Sequence, residues 1–100
     1  MEIDAQTLEV KNNREANRFE AQLGDQLGII EYQIKHHAYV FTHTEVPPEF
    51  GGKGIADRMA RVALDTAKAE GYGVVPLCPF VRKYIQRHPE YQALVTALEE

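Results

Sequence analysis

"EFGGKGIADRMARVALDTAKAEG", residues Glu49 to Gly71, places three glycines and a lysine directly ahead of an amphipathic helix. From Ile55 the apolar positions recur at Met59, Val62, Ala63 and Ala67, with Ala56, Ala60 and Leu64 beside them. That is the 3.6-residue period of a helix with one buried face. Asp57, Arg58, Arg61, Asp65 and Lys68 fall on the other face, where Asp57/Arg61 and Arg61/Asp65 are spaced to pair along the helix. Gly71 is a natural C-terminal stop. Glycine at the head is costly in backbone entropy, so it needs a reason. Either Gly51 and Gly52 only turn the chain after Pro47 and Pro48, or something approaches the backbone closely. The second reading has a physical basis. A helix N-terminus exposes unpaired N–H groups and a partial positive charge, and it accepts anions. Without a Cβ, a phosphate can come near. Spacing alone leaves both readings open.

Upstream, the pattern is that of strands. A strand is expected over Gln6–Lys11 and a turn over Asn12–Glu15. Phe19, Ala21 and Leu23 then alternate with Glu20 and Gln22, the period of a half-buried strand. Gly24-Asp25 breaks the run, and Gln26–Ile34 resumes it with β-branched and aromatic residues. Lys35–His37 reads as a turn, and Ala38–Val46 as a fourth strand ended by the two prolines. Short connections predict an antiparallel meander. Downstream, Tyr72–Cys78 reads as a buried strand. Pro79 opens a helix, and Glu90–Glu100 closes the chain with a shorter one. A helix between two strands predicts a right-handed crossover that sets those strands parallel. The fold class is therefore α/β (α+β in a looser classification). It combines an antiparallel N-terminal meander, a crossover helix, a parallel strand and C-terminal helices in one domain over residues 1–100.

Composition narrows the functional classes. The chain has 100 residues, 44% of them hydrophobic, with a net charge of -4 and a pI near 5.5. An acidic balance argues against a general nucleic-acid binder. A single cysteine, Cys78, excludes an internal disulfide framework and fits a reducing, cytoplasmic setting. No stretch approaches the roughly 20 apolar residues of a membrane span, and the acidic N-terminus does not read as a signal peptide.

Two familiar phosphate motifs fail here. A Walker A loop needs Ser or Thr after Gly-Lys, and Gly54 follows Lys53. The dinucleotide fingerprint fails because Asp57 stands at its third glycine and the preceding strands read as antiparallel. A third pattern fits: R/Q-x-x-G-x-G/A, aligned as Gly51-Gly52-Lys53-Gly54-Ile55-Ala56, with Gly54 and Ala56 matching and Gly51 in place of Arg or Gln. With "HTEVPPEFGGKGIA" and "VVPLCPFVRKYIQRHPEY", the segment from His43 to Tyr91 resembles the short, single-domain GNAT-like acetyltransferases. The resemblance implies a mixed GNAT sheet with acetyl-CoA held between two splayed strands, here Ala38–Val46 and Gly73–Cys78. It implies a diphosphate on the amides of Gly52, Lys53, Gly54, Ile55 and Ala56, with Gly51 at the start of the loop. The pantetheine arm is expected near Thr44 to Val46. Members of the wider superfamily carry substrate-shaping helices after their first strand, and "NNRE" leaves no room for them. An open acceptor site follows, with specificity resting on a large partner or an oligomer.

Four side chains are candidates for the chemistry, Cys78 and Tyr84 by the same resemblance and His43 and Glu45 by their place on the strand before the loop. Cys78 stands near the thioester, as a nucleophile or as pocket lining; a buried cysteine is also a small hydrophobe. Tyr84 is the candidate acid for the departing thiolate, against plain packing. His43 and Glu45, two apart on one strand face, are a candidate base or water-holding pair, against a solvated face. His88, with Arg87, reads as a helix cap. His36 and His37 lie in a turn, and no metal-ligand spacing is present. The expected activity is acetyl transfer from acetyl-CoA to an amine of unspecified identity, a protein amine included. The alternatives are a CoA-binding module without turnover and a small interaction protein. A monomer or weak dimer is expected, without nucleic acid or membrane as partner.

Overall fold

The computed structural model describes residues 8–52 and 54–97. Four antiparallel strands come first: β1 (Val10–Asn13), β2 (Arg18–Leu23), β3 (Gln26–Lys35) and β4 (Ala38–Glu45). A 3-10 turn at Pro48–Phe50 leads to α1 (Ile55–Glu70). Then follow β5 (Gly73–Pro76), α2 (Pro79–Arg87) and a 3-10 segment at Pro89–Leu94. The sheet order is β1-β2-β3-β4-β5, antiparallel except that β5 runs parallel to β4. The expected meander and crossover are both present.

The first strand departs from expectation. Val10–Asn13 is extended, and the turn occupies residues 14–17 instead of 12–15. The asparagines serve the strand's contacts. Tyr32 Oη donates to Asn12 Oδ1 at 2.6 Å, and Asn13 Oδ1 accepts the Ala16 N–H at 3.2 Å. It is Asn17, with φ 54°, that takes the left-handed position. Gln6 and Thr7, the start of the expected strand, lie outside the described residues. The final segment also differs. Residues 89–94 wind as 3-10 helix, after which Val95 makes a parallel bridge to Val74. Leu98–Glu100 lie outside the described residues.

Both helices send their buried side chains into one cluster on one face of the sheet. Phe19, Ile30, Tyr32, Tyr39 and Phe41 meet Met59, Ala63 and Leu64 of α1 and Val81, Tyr84 and Ile85 of α2. Each large apolar side chain buried this way is worth about 1.5–3 kcal/mol before entropy is counted. On the opposite face Ala38, Val40 and Val75 form a small separate group. Further along β4 the same face is exposed at His43 and Glu45.

One irregularity positions everything that follows. Glu31 pairs with His43 but Tyr32 with Phe41, so Thr42 is an extra residue in β4. Such a bulge reverses the inward and outward alternation beyond it. Tyr39 and Phe41 point into the core, and past Thr42 it is Thr44 and Val46 that share their face. His43 and Glu45 are thereby turned to the open side.

Candidate active site

The head of α1 is built for an anion. Gly54 is the residue before the helix, in the left-handed region at φ 73°, and among the described residues no side chain caps the end. The first helical bond runs from Arg58 N–H to Gly54 O at 3.0 Å. The amides of Ile55, Ala56 and Asp57 precede it and have no acceptor within the helix. Gly52 also has φ 73°, and an added Cβ would meet nothing within 4 Å. A cavity of about 540 Å³ opens against this segment. Val46, Pro47, Pro48, Phe50, Gly51, Gly52, Gly54, Ile55, Ala56 and Asp57 line it. Of the loop residues expected to hold a cofactor, Gly51, Gly52, Gly54, Ile55 and Ala56 therefore share one cavity, with Val46 across from them. Lys53 lies outside the described residues.

The second part is the place where β4 and β5 part. They pair from Ala38↔Gly73 to Phe41↔Pro76. The strand expected over Tyr72–Cys78 stops at Pro76, since a tight turn follows: Leu77 N–H donates to Val75 O at 3.1 Å. Cys78 N–H still reaches Phe41 O at 2.9 Å, and beyond this rung β4 has β3 alone as ladder partner. The gap is bridged by side chains. Thr44 Oγ1 and Cys78 Sγ are in hydrogen-bond contact at 3.0 Å. Cys78 is 3% exposed and immediately precedes α2. Arg82 donates back to the Leu77 carbonyl at 2.9 Å, which fixes the bend between β5 and α2.

The other candidates are distributed differently. His43 Nε2 lies 3.5 Å from Glu45 Oε2, with both side chains more than half exposed on the open face. Tyr84 is buried and stacks on His88 with ring centroids 3.9 Å apart. Burial first, and then the Asp57 carboxylate, push its phenol above the ordinary tyrosine range. Its electrostatic neighbours are Asp57, Arg61, Asp65 and Glu90, on the side of α1 and the 3-10 segment. His88 Nδ1–H donates to the Tyr84 carbonyl at 2.8 Å and closes the end of α2, as the capping reading has it. Asp57 pairs across to Arg87 at 3.9 Å instead of along its own helix to Arg61, while Arg61 and Asp65 do pair, at 3.8 Å.

Comparison with known proteins places this sequence and fold in one family. The family model described as GCN5-related N-acetyl-transferase matches residues 18–94. This chain belongs to that family. A protein of Xenopus tropicalis named NATD1 is 28% identical over 91 residues, covering 88% of this chain and 84% of that protein. The human protein of the same name is 28% identical over 90 residues, covering 87% of this chain and 80% of that protein. The solution NMR structure of a GCN5-like protein from Staphylococcus aureus superposes with a TM-score of 0.71 over 93% of this chain and 92% of that one, at 23% identity. The GCN5-related fold is thus shared over 93% of this chain.

Several contributors to the site were not apparent from the sequence. Phe50 forms one wall of the cavity, and its ring edge would lie 2.7 Å from a Cβ on Gly28. A glycine inside the strand pattern "QLGIIEYQI" was the available signal for such a close approach. Thr42 gave no signal, because a bulge alters register without altering composition. Arg87, in the last turn of α2 beside His88, also reaches across to Asp57.

Proposed function

We propose that this chain transfers an acetyl group from acetyl-CoA to an amine. The observation that carries the reading is the uncapped head of α1, with left-handed Gly52 and Gly54 before it and a cavity in front of it. A cradle of free amides with no Cβ in the way fits a diphosphate. Acetyl-CoA supplies an activated thioester, a diphosphate and a pantetheine arm with amide groups. The amides of Gly52, Gly54, Ile55 and Ala56 would hold the diphosphate, with Gly51 giving access and Lys53 adding charge. Beyond Phe41, the β5-facing edge of β4 has no ladder partner, so backbone groups near Thr44 and Val46 are free to pair with an amide-bearing chain. That would set the reacting carbon near Thr44 and Cys78.

The chain's own residues then divide the work. A backbone N–H at the β4 bulge would polarise the carbonyl. His43 and Glu45, on the open face, would take the proton of the incoming amine directly or through water. Tyr84 would give a proton to the departing CoA sulfur, although burial and the Asp57 carboxylate raise its phenol and make it a weaker acid. Transfer is direct in this reading. The Thr44–Cys78 contact favours a second reading, in which Cys78 takes the acetyl group first: its sulfur attacks the carbonyl carbon, the C–S bond to CoA breaks and the thiol proton passes to the departing CoA sulfur, and the amine then displaces Cys78, its proton returning to that sulfur. The open face suits a large amine-bearing acceptor such as a protein, and the reading places the chain in the cytosol.

Titration calorimetry with acetyl-CoA tests the cradle, and turnover with a panel of amines tests the enzyme. Binding in the micromolar range with acetylated product is expected. Binding without turnover on any amine would favour a CoA-binding module, and no binding would reduce the loop to a turn.

A further inference from the structure

We propose that Asp57 and Arg87 together set how tightly the cradle holds a phosphate-bearing cofactor, Asp57 as a resident competing anion and Arg87 as the cation that restrains it. This rests on the reading above that the cradle takes the diphosphate of CoA.

Asp57 is the third residue of α1 and lines the cavity. A carboxylate in a helix's first turn is favoured by the positive end of the helix. The same potential attracts the phosphate, so the two anions draw on one source and repel each other. Against this carboxylate the chain sets a guanidinium from another helix. Arg87, in the last turn of α2, places Nη2 3.9 Å from Asp57 Oδ1, and Arg87 is not among the cavity-lining residues. Its effect on a ligand in the cavity therefore passes through Asp57 and the local field. Arg61, one turn along α1, pairs with Asp65 instead, whose second oxygen accepts the Tyr91 hydroxyl at 2.7 Å. Among the described residues Arg87 is the cation within ion-pair reach of Asp57, both side chains more than half exposed. Cofactor affinity is then tuned by a contact between the two helices, outside the glycine loop itself.

The test is calorimetry at fixed ionic strength on wild type, Asp57→Asn, Arg87→Gln and Arg87→Lys, each with CoA, 3′-dephospho-CoA and pantetheine. Asp57→Asn is expected to tighten CoA binding about fivefold. Arg87→Gln is expected to weaken it about fivefold, and Arg87→Lys to stay within about twofold of wild type, since charge is retained. 3′-Dephospho-CoA should follow CoA, because the diphosphate is the sensitive group. Pantetheine, without phosphate, should not respond. The differences should shrink as salt is raised toward 0.5 M, roughly, because exposed charges are screened. If wild type binds CoA and both neutralising variants stay within twofold of it, the proposal fails while the cradle stands. Equal shifts with pantetheine would also overturn it, since they would reflect shape. A wild type that does not bind CoA removes the cradle and this proposal together.

Discussion

Thr44 Oγ1 lies 3.0 Å from Cys78 Sγ, joining the end of β4 to the start of α2 just past the last rung that β4 shares with β5. The contact exists because the Thr42 bulge turns Thr44 inward. It marks the point where a ligand arm following the free edge of β4 would meet the first side chains able to touch its reactive end. For direct transfer, Cys78→Ala should keep acetyl-CoA affinity within about tenfold, or ~1.4 kcal/mol, and keep turnover within the same factor. Intact mass after incubation with acetyl-CoA alone should show no acetyl adduct on wild type. An adduct that disappears in Cys78→Ala, together with lost turnover, would transfer the nucleophile's role to the sulfur.

Gly28 is predicted to be intolerant for a reason located in the cavity wall. A Cβ there would sit 2.7 Å from the edge of the Phe50 ring and 3.2 Å from Val46. The ring is rigid and 3% exposed, so it must shift as a unit. Gly28→Ala should cost about 1–3 kcal/mol by overpacking and should also weaken acetyl-CoA binding, because Phe50 and Val46 both line the cavity. Thermal melts and calorimetry on the same variant check both halves. A large drop in Tm with unchanged affinity would separate the wall from the ligand.

Periodicity revealed the parts of this fold that periodicity controls. The α1 stripe from Ile55 to Ala67, the Phe19/Ala21 alternation and the glycine stop at Gly71 each state a local preference that packing then confirms. The first turn was misplaced by two residues because Asn12 and Asn13 carry turn preference in their side chains, yet spend those side chains on Tyr32 and Ala16. Asp57 was paired along its own helix for the same reason: sequence spacing shows neighbours at four residues and cannot show Arg87 arriving from α2. The glycine loop was legible since φ near +73° has few alternatives to glycine. The bulge was not, and it is the bulge that decides which residues of β4 face Cys78 and which face the open side.

The glycine loop itself is best tested where the backbone is not strained. Gly54 has φ 73°, so Gly54→Val would lose stability by about 1–2 kcal/mol from conformation alone, and reduced binding would be ambiguous. Ala56 lines the cavity from within the first turn of α1 and has ordinary helical geometry. Ala56→Leu keeps a strong helix former and places three more carbons in the cavity. Acetyl-CoA affinity should fall at least about tenfold, ~1.4 kcal/mol, with Tm unchanged within about 2 °C. Wild-type affinity in this variant would remove the cavity from the cofactor's path.

The last prediction concerns the pH range over which the scaffold holds. Tyr39, fully buried in the core, donates its hydroxyl to Glu70 at 2.6 Å, and Arg14 bonds both groups from the β1–β2 turn. The Tyr39 hydroxyl, and next to it the Arg14 guanidinium, hold the Glu70 carboxylate below its ordinary value of 4.5 despite partial burial. A depressed carboxylate stabilises the fold above its unfolded pKa, and that contribution is lost as pH falls through the folded value. Burial first, and then the bond to Glu70, raise the Tyr39 phenol to about 12. A raised tyrosine stabilises the fold below pH ~10, and its contribution is lost as pH climbs from there toward the folded value. Stability should therefore be flat between roughly pH 5 and 9 and fall on both sides. Arg18 lowers Glu20 in the same sense, so the acid limb is shared between two carboxylates. Tyr39→Phe should cost ~1 kcal/mol at pH 7, or roughly 5 °C in Tm for a domain of this size, and should make the alkaline limb shallower, the rest of it belonging to Tyr32, Tyr84 and Tyr91, whose phenols are also raised. Glu70→Gln should make the acid limb shallower without abolishing it. Urea midpoints measured from pH 3 to 11 on the three proteins give both limbs. An acid limb in Glu70→Gln parallel to that of wild type would assign the acid sensitivity to Glu20 and Arg18 instead.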